Sequence, residues 1–312
     1  MKISGFTMCK NASKLYYPVK ASITSILPIV DEFIVAVGDC DKDDDTLEQI
    51  KSINSDKIKI IHTVWDVEKY PKGMENAHQT DIAKNACNGD WVFYLQADEV
   101  VHENDLQQIN DKCKEHLKNK NVDGLLFNYL HFYGDYNHYN NGRGWYQNEI
   151  RLVRNDKEIH SFQSAQSFRR IPNFDGLSYR KKEGSSKLNV VKVDANIYHY
   201  GWVRPPRFMQ KKKIALDSIH SNKNSVNDPE IFNYGPIGCL TKFKGTHPSV
   251  MEHWIGKFNW AEHLNYTKKY SLNREKMKHE KIHYRVMNKI EKLFNNNRHF
   301  FSYSNWNIIN NK

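Results

Sequence analysis

The sequence predicts a doubly wound α/β fold, a mostly parallel sheet flanked by helices, followed by a helical C-terminal appendage. Three observations predict it. Strand-like and helix-like segments alternate through the first half of the 312 residues. The strand-like segments are nearly continuous apolar runs, as strands buried on both faces require. Each run also stops in polar or acidic residues, at the carboxyl ends of strands where sheets of this type bind ligands.

In chain order, "KISGFTM" is a short strand, and "SKLYYPVKASITSILPIV" is a helix with apolar residues at Leu15, Val19, Ile23, Ile26 and Leu27. "DEFIVAVGD" is a second strand of parallel type. "CDKDDDTLEQIKSI" opens on turn-forming aspartates and enters a helix capped by Asp45 or Thr46. "KIKIIHTVW" is the third strand, and "GMENAHQTDIAKNACNG" a helix stopped by Gly89. "WVFYLQADEV" is the fourth strand, a buried run that ends in Gln96, Ala97, Asp98 and Glu99. A charged amphipathic helix, "ENDLQQINDKCKEHLKN", and a further strand, "VDGLLFNYLHFYG", follow. The rim so defined carries Thr7 to Asn11, Asp39 and Asp98. Beyond it, "EIRLVRN" and "LNVVKVDANIYHYGW" read as strands among aromatic and Gly-rich turns. From about residue 206 the chain reads as helical, through "FMQKKKIALDSIH" and "NREKMKHEKIHYRVMNKIEKLF", to a loosely ordered Asn-rich tail. Two units result, 1–205 and 206–312.

Composition and charge bound the function. With 39% hydrophobic and 26% charged residues, 17 Tyr, 15 Phe and 7 Trp, the chain is globular. No window approaches a membrane span and the N-terminus has no apolar leader, which predicts a cytoplasmic protein. The five cysteines, Cys9, Cys40, Cys87, Cys113 and Cys239, are scattered, without a CxxC pair, and predict reduced thiols. Residues 1–150 hold 16 Lys and Arg against 23 Asp and Glu, a charge of −7; residues 151–312 hold 30 against 13, or +17. An acidic half suited to a metal ion is thus joined to a basic half facing something anionic. Nucleic acid is not predicted as a partner, because no recognition helix or aromatic RNA platform is present.

An Asp at the carboxyl end of a buried strand either caps the following turn or holds a hard cation such as Mg²⁺ or Mn²⁺. "KISGFTMCKNA", "DEFIVAVGDCDKDDDT" and "GDWVFYLQADEVV", in this order and spacing, resemble the family 2 glycosyltransferases of GT-A fold. The form "ADE" is similar to the branch that builds bacterial lipopolysaccharide cores and capsules. The resemblance covers residues 1–160 well and 190–204 weakly. It implies a Rossmann-like GT-A domain at 1–205, with a nucleotide-sugar half at 1–125 and an acceptor half at 126–205.

Carried over residue by residue, the resemblance implies that Thr7, Lys10 and Asn11 approach the nucleotide and Asp39 the base or ribose. Asp98 would ligate Mn²⁺ or Mg²⁺ on the diphosphate, with His199 completing the site. Turn formation by Asp39 and a core role for His199 are the competing readings. Two positions depart from the family pattern. Gln96 replaces the first carboxylate of the motif, though its amide can still bond ribose hydroxyls. Thr80-Asp81 stands where Arg-Asn is usual. The candidate base is Glu149, with Asp135 and Asp175 as alternatives, and Arg151 and Arg154 beside it are candidate phosphate contacts. Trp145 and Trp202 are either sugar-stacking or core residues. The clusters Arg169–Arg170, Arg180–Lys182 and Lys211–Lys213 either form solvated faces or engage an anionic acceptor or leaflet.

The reading is therefore transfer of a sugar from a UDP- or GDP-sugar to a glycan or glycolipid hydroxyl. It is expected to be inverting and metal-assisted, in cell-surface polysaccharide synthesis, at the cytosolic face of the membrane. A non-catalytic GT-A-like module that binds glycan or an assembly partner is the alternative.

Overall fold

A computed structural model describes residues 1–221, 229–269, 274–295, 299–300 and 304–309. The first half is built on β1 (Ile3–Cys9), β2 (Glu32–Val37), β3 (Ile58–His62) and β4 (Trp91–Tyr94). They lie in the order β4-β1-β2-β3, all parallel, with Phe6 opposite Ile34 and Tyr94. Every residue of β2 is buried, because both faces of the sheet are covered. Phe33, Val35 and Val37 pack on one face, Ile34 and Ala36 on the other. The first face receives α1 (Val19–Ile26) and, further along, α4 (Leu106–His116), through Val19, Ile23, Ile26, Leu106 and Ile109. The second receives α3 (Met74–Asn85) through Ala83. The short α2 (Thr46–Lys51) follows an Asp turn: Asp45 is its N-cap, and Asp44 accepts the Thr46 N–H. The helix α3 ends before Gly89, which instead lies against Ser4, so close that a Cβ would sit 2.7 Å from the Ser4 nitrogen.

The expected fourth strand divides. β4 stops at Tyr94, the chain turns through Leu95–Asp98, and β5 (Glu99–Val101) pairs elsewhere, antiparallel to β11 (Leu188–Trp202). The second half of the sheet turns on β6 (Gly124–Tyr133), which lies between β11, parallel to it, and β8 (Asn148–Arg154), antiparallel. β8 also pairs antiparallel with β4 and so joins the halves. The short β7 (His138–Asn140) extends this edge, and β9 (Ile159–Phe162) with β10 (Ser167–Arg170) forms a separate hairpin.

The segment after residue 205 carries α5 (Pro206–Ser221), β12 (Thr241–Lys242), α6 (Glu252–Gly256), α7 (Ile282–Phe294) and β13 (Trp306–Ile308). Its two strands add to the same sheet, β12 on β7 and β13 on β11. An aromatic core that includes Phe132, Tyr133, Tyr198, Tyr200, Tyr234 and Trp260 binds the segment to the sheet. Of the Asn-rich tail, β13 belongs to the sheet; 296–298, 301–303 and 310–312 lie outside the described residues. Among the described residues no helix is long and apolar enough to cross a membrane.

Candidate functional site

Asp98 is presented by the turn between β4 and β5. Glu99 N–H closes the turn on the Gln96 carbonyl at 3.0 Å, Ser22 of α1 donates to the same carbonyl at 2.9 Å, and the Glu99 carboxylate accepts the Gln96 N–H at 3.1 Å. Asp98 therefore sits on a fixed support. It is 3% exposed, and three cationic or imidazole groups converge on it. Lys212 Nζ, from α5, is 2.9 Å from Oδ2, Arg204 Nη2 is 3.8 Å from Oδ2, and His199 Nε2 is 3.8 Å from Oδ1. Desolvation alone would raise the carboxyl, but the positive charges beside it, that of Lys212 foremost and that of Arg204, more than reverse it and hold Asp98 well below the usual carboxylate range. Burial, with Arg204, pushes the Lys212 ammonium down to about 8 against the pull of Asp98, so both partners are charged at neutral pH.

His199 is oriented from behind. It stands opposite Glu99 on β5 and His131 on β6. His131 Nε2 lies 2.8 Å from the Tyr146 carbonyl, a pure acceptor, so Nε2 carries the proton. Burial holds His131 neutral, which leaves its Nδ1 a lone pair, and His199 Nδ1, 2.9 Å away, must donate to it. His199, also kept neutral by burial, then turns an unprotonated Nε2 toward Asp98. Two electron-rich atoms face each other across 3.8 Å. That donor pair fits a divalent cation, and a backing hydrogen bond of this kind is what fixes the ring of a metal-ligating histidine. Gly201 leaves the space open: a Cβ there would lie 2.5 Å from His199 Nε2 and 2.7 Å from Asp98 Oδ2. Among the described residues no group of three or more His, Cys, Asp or Glu side chains could hold a metal, so Asp98 and His199 would share a cation with ligands from outside the protein.

A second cluster forms where β1 and β2 end. Asp39 accepts Lys10 Nζ at 2.7 Å and the Trp65 N–H at 2.9 Å. Against desolvation, these bonds hold its carboxyl below the ordinary value. Trp65 packs over Gly38, where a Cβ would meet its Nε1 at 2.5 Å, and this buried Nε1 has no hydrogen-bond partner among the described residues. Asn11, in left-handed backbone at φ 53°, accepts the Asp41 N–H at 2.8 Å and knits the two loops. Thr7 is wholly buried on β1 opposite Val35, its Oγ1 without a hydrogen-bond partner among the described residues. Gln96 spends one amide hydrogen on the Ala165 carbonyl at 3.1 Å.

Glu149, on β8, is 2% exposed. Its Oε1 accepts Ser167 Oγ at 2.6 Å and the Ile150 N–H at 3.0 Å, and burial pushes the carboxyl up to about 7. The alternatives for a base are committed to turns: Asp135 to His138 and the Asn137 N–H, Asp175 to Leu177 and Ser178. Arg151 and Arg154 do not face a phosphate site, contrary to the sequence expectation. Arg151 forks onto Glu99 at 2.7 and 2.8 Å with neither residue exposed, and Arg154 donates to the carbonyls of His116, Leu117, Asn119 and Val122. The Lys211–Lys213 run is likewise not a uniform surface patch, since Lys212 is buried on Asp98 and Lys213 pairs with Asp217. Trp145 and Trp202 pack on each other and on Tyr133 within the aromatic core.

The residues missed from sequence are Arg204, His131 and Trp65, and Lys212 was read only as one of a basic run facing an anionic acceptor or leaflet. Arg204 is fully buried over the Tyr17 ring, with Nε and Nη2 lacking hydrogen-bond partners among the described residues. His131 carried the same signal as Asp98, a polar residue inside an apolar strand run, "NYLHFYG".

No family model matches the chain, and no curated protein matches it. Solved structures do. Glucosyl-3-phosphoglycerate synthase from Mycobacterium tuberculosis, in complex with Mn²⁺, UDP and phosphoglyceric acid, matches at 20% identity over 42% of this chain and 43% of that one, with a TM-score of 0.28. S. aureus TarS matches at 15% identity over 69% of this chain and 39% of its own, with a TM-score of 0.40. Mannosyl-3-phosphoglycerate synthase from Rubrobacter xylanophilus matches at 17% identity over 42% and 41%, with a TM-score of 0.28. The chain thus spans about two fifths of the length of these structures.

Proposed function

We propose that the protein transfers a sugar from a nucleotide-diphosphate sugar to a glycan or glycolipid hydroxyl, with inversion and metal assistance, in cell-surface polysaccharide synthesis. The observation that carries this reading is the pair of lone-pair donors, Asp98 Oδ1 and His199 Nε2, held 3.8 Å apart beside the buried cations of Arg204 and Lys212. A divalent cation bound there would offset the charge that builds on a departing diphosphate. Arg204, two of whose nitrogens have no hydrogen-bond partner among the described residues, supplies fixed positive charge beside the same position. Asp39, Lys10 and Trp65 form a polar and aromatic platform suited to a nucleobase and ribose, with Thr7 and Asn11 behind it.

In this reading Glu149 takes the proton of the acceptor hydroxyl. A carboxyl raised to about 7 is well matched to that task, since a general base works best near the operating pH. The sign follows directly: below 7 the group is protonated and idle, above it ionised and active. Donor turnover, kcat/KM, is expected to rise through an acid limb near 7 and level off. Glu149→Gln should lose roughly 10²–10⁴-fold in kcat together with that limb. A variant that keeps the limb would remove Glu149 from the role.

The whole reading is tested by incubating the purified chain with a panel of UDP- and GDP-sugars and Mn²⁺, and by titrating Mn²⁺ with UDP or GDP calorimetrically. Turnover or Mn²⁺-linked binding is expected. Absence of both would favour the second reading, a non-catalytic module, for which the engagement of Gln96 with Ala165 speaks.

A further inference from the structure

The helix α7 is amphipathic in the reverse sense. Its polar side faces the protein: Asn288 accepts the Arg143 N–H at 2.7 Å, and Glu291, 1% exposed, pairs with Arg143 and accepts the Phe300 N–H. Asn288 and Glu291 help to line a cavity of about 420 Å³, which explains why polar residues point inward. The apolar side faces out. Ile282 is 69% exposed, Val286 50%, Ile290 38%, Leu293 77% and Phe294 77%. Spacings of four, four, three and one place all five on one stripe of a helix. Exposed Lys281, Lys289 and Lys292 lie between it and the polar side, Lys289 and Lys292 at the rim of the cavity.

Contiguous apolar surface of this kind marks an interaction site, whereas exposed apolar side chains elsewhere among the described residues, such as Val64 and Leu177, come from separate elements. We propose that α7 lies in the plane of an anionic lipid leaflet, its apolar stripe entering the acyl boundary and its lysine row meeting the headgroups. Charge complementarity selects this occupant. Residues 151–312 carry 30 Lys and Arg against 13 Asp and Glu, a surplus an anionic leaflet neutralises. An antiparallel two-fold pairing of α7 with a second copy would instead turn each lysine row toward its own duplicate, a like-charge contact.

The test is cosedimentation of the full chain with vesicles of phosphatidylcholine and phosphatidylglycerol in equal parts, against pure phosphatidylcholine. Binding to the anionic vesicles, weakened by added salt, is expected. Leu293→Ser combined with Phe294→Ser should weaken it by roughly tenfold or more, with the melting temperature unchanged because both side chains are already in solvent. In a separate Phe294→Trp chain, tryptophan emission should shift to the blue on anionic vesicles beyond the response of the seven native tryptophans. The proposal is overturned if the native chain ignores anionic vesicles, if the double variant sediments as the native chain does, if the Phe294→Trp chain shows no shift beyond the native response, or if the double variant dissociates a native dimer. No donor or turnover enters the test, so its failure leaves the sugar-transfer proposal standing.

Discussion

Asp98→Ala is expected to abolish transfer and, separately, to cost about 3–5 kcal/mol of stability, the range for removing one partner of a buried ion pair. The two losses have different causes. Activity goes because one of the two proposed cation ligands goes; stability goes because Lys212, 5% exposed, and Arg204, fully buried, are left without a counterion. Combining Asp98→Ala with Lys212→Met separates them: the double variant should recover part of the stability and none of the activity. Urea unfolding and a donor-turnover assay read the two quantities. Full activity in Asp98→Ala would sink the cation assignment, and a double variant no more stable than the single one would sink the ion-pair account. The pH dependence has a definite sign. Asp98 is ionised in the folded protein well below its ordinary value of 3.8, so its contribution is complete above that value and is lost on acidification. Lys212 acts in the same direction at the alkaline end. Its folded value of about 8 lies below the ordinary 10.5, so the unfolded chain holds the proton longer and this contribution to stability rises with pH across that window.

How far such a site can be read from sequence depends on how local its determinants are. The parallel half was legible because unbroken apolar runs such as "DEFIVAVGD" report burial on both faces without reference to any partner. Asp98 was legible for a related reason, as a carboxylate at the end of such a run. Lys212 was not, because it reaches Asp98 from a helix 114 residues further along, and on its own helix it is one lysine among three. The division of "WVFYLQADEV" was hidden too. Whether Glu99 continues β4 or begins β5 is decided by β11, far along the chain, whose His199 takes Glu99 as its neighbour. The antiparallel placement of β8 between β4 and β6 is equally non-local. The same limit misdirected the reading of Arg151, whose type suggests phosphate until its surroundings are known.

For Arg151 the expected result is a loss of about 3–5 kcal/mol on substitution by Met, since Glu99 would remain as a buried carboxylate with its fork of donors gone. Tyr129, whose hydroxyl donates to Glu99 at 2.8 Å and whose ring lies 5.2 Å from the guanidinium, cannot replace the charge. Replacing both partners, Glu99→Leu with Arg151→Met, should cost less than the single change, because an apolar pair leaves no stranded charge. Arg151→Lys is the informative variant. A lysine keeps the charge but not the planar fork that satisfies both Glu99 oxygens, so an intermediate loss of stability is expected. Because Glu99 also holds the Gln96 N–H, the turn that carries Asp98 should loosen with it, and kcat should fall while KM for the donor stays nearly level. A phosphate contact predicts the reverse, an intact fold with a raised donor KM. Denaturant midpoints and donor KM, measured on the one Arg151→Lys protein, decide between a clamp beneath the site and a contact within it.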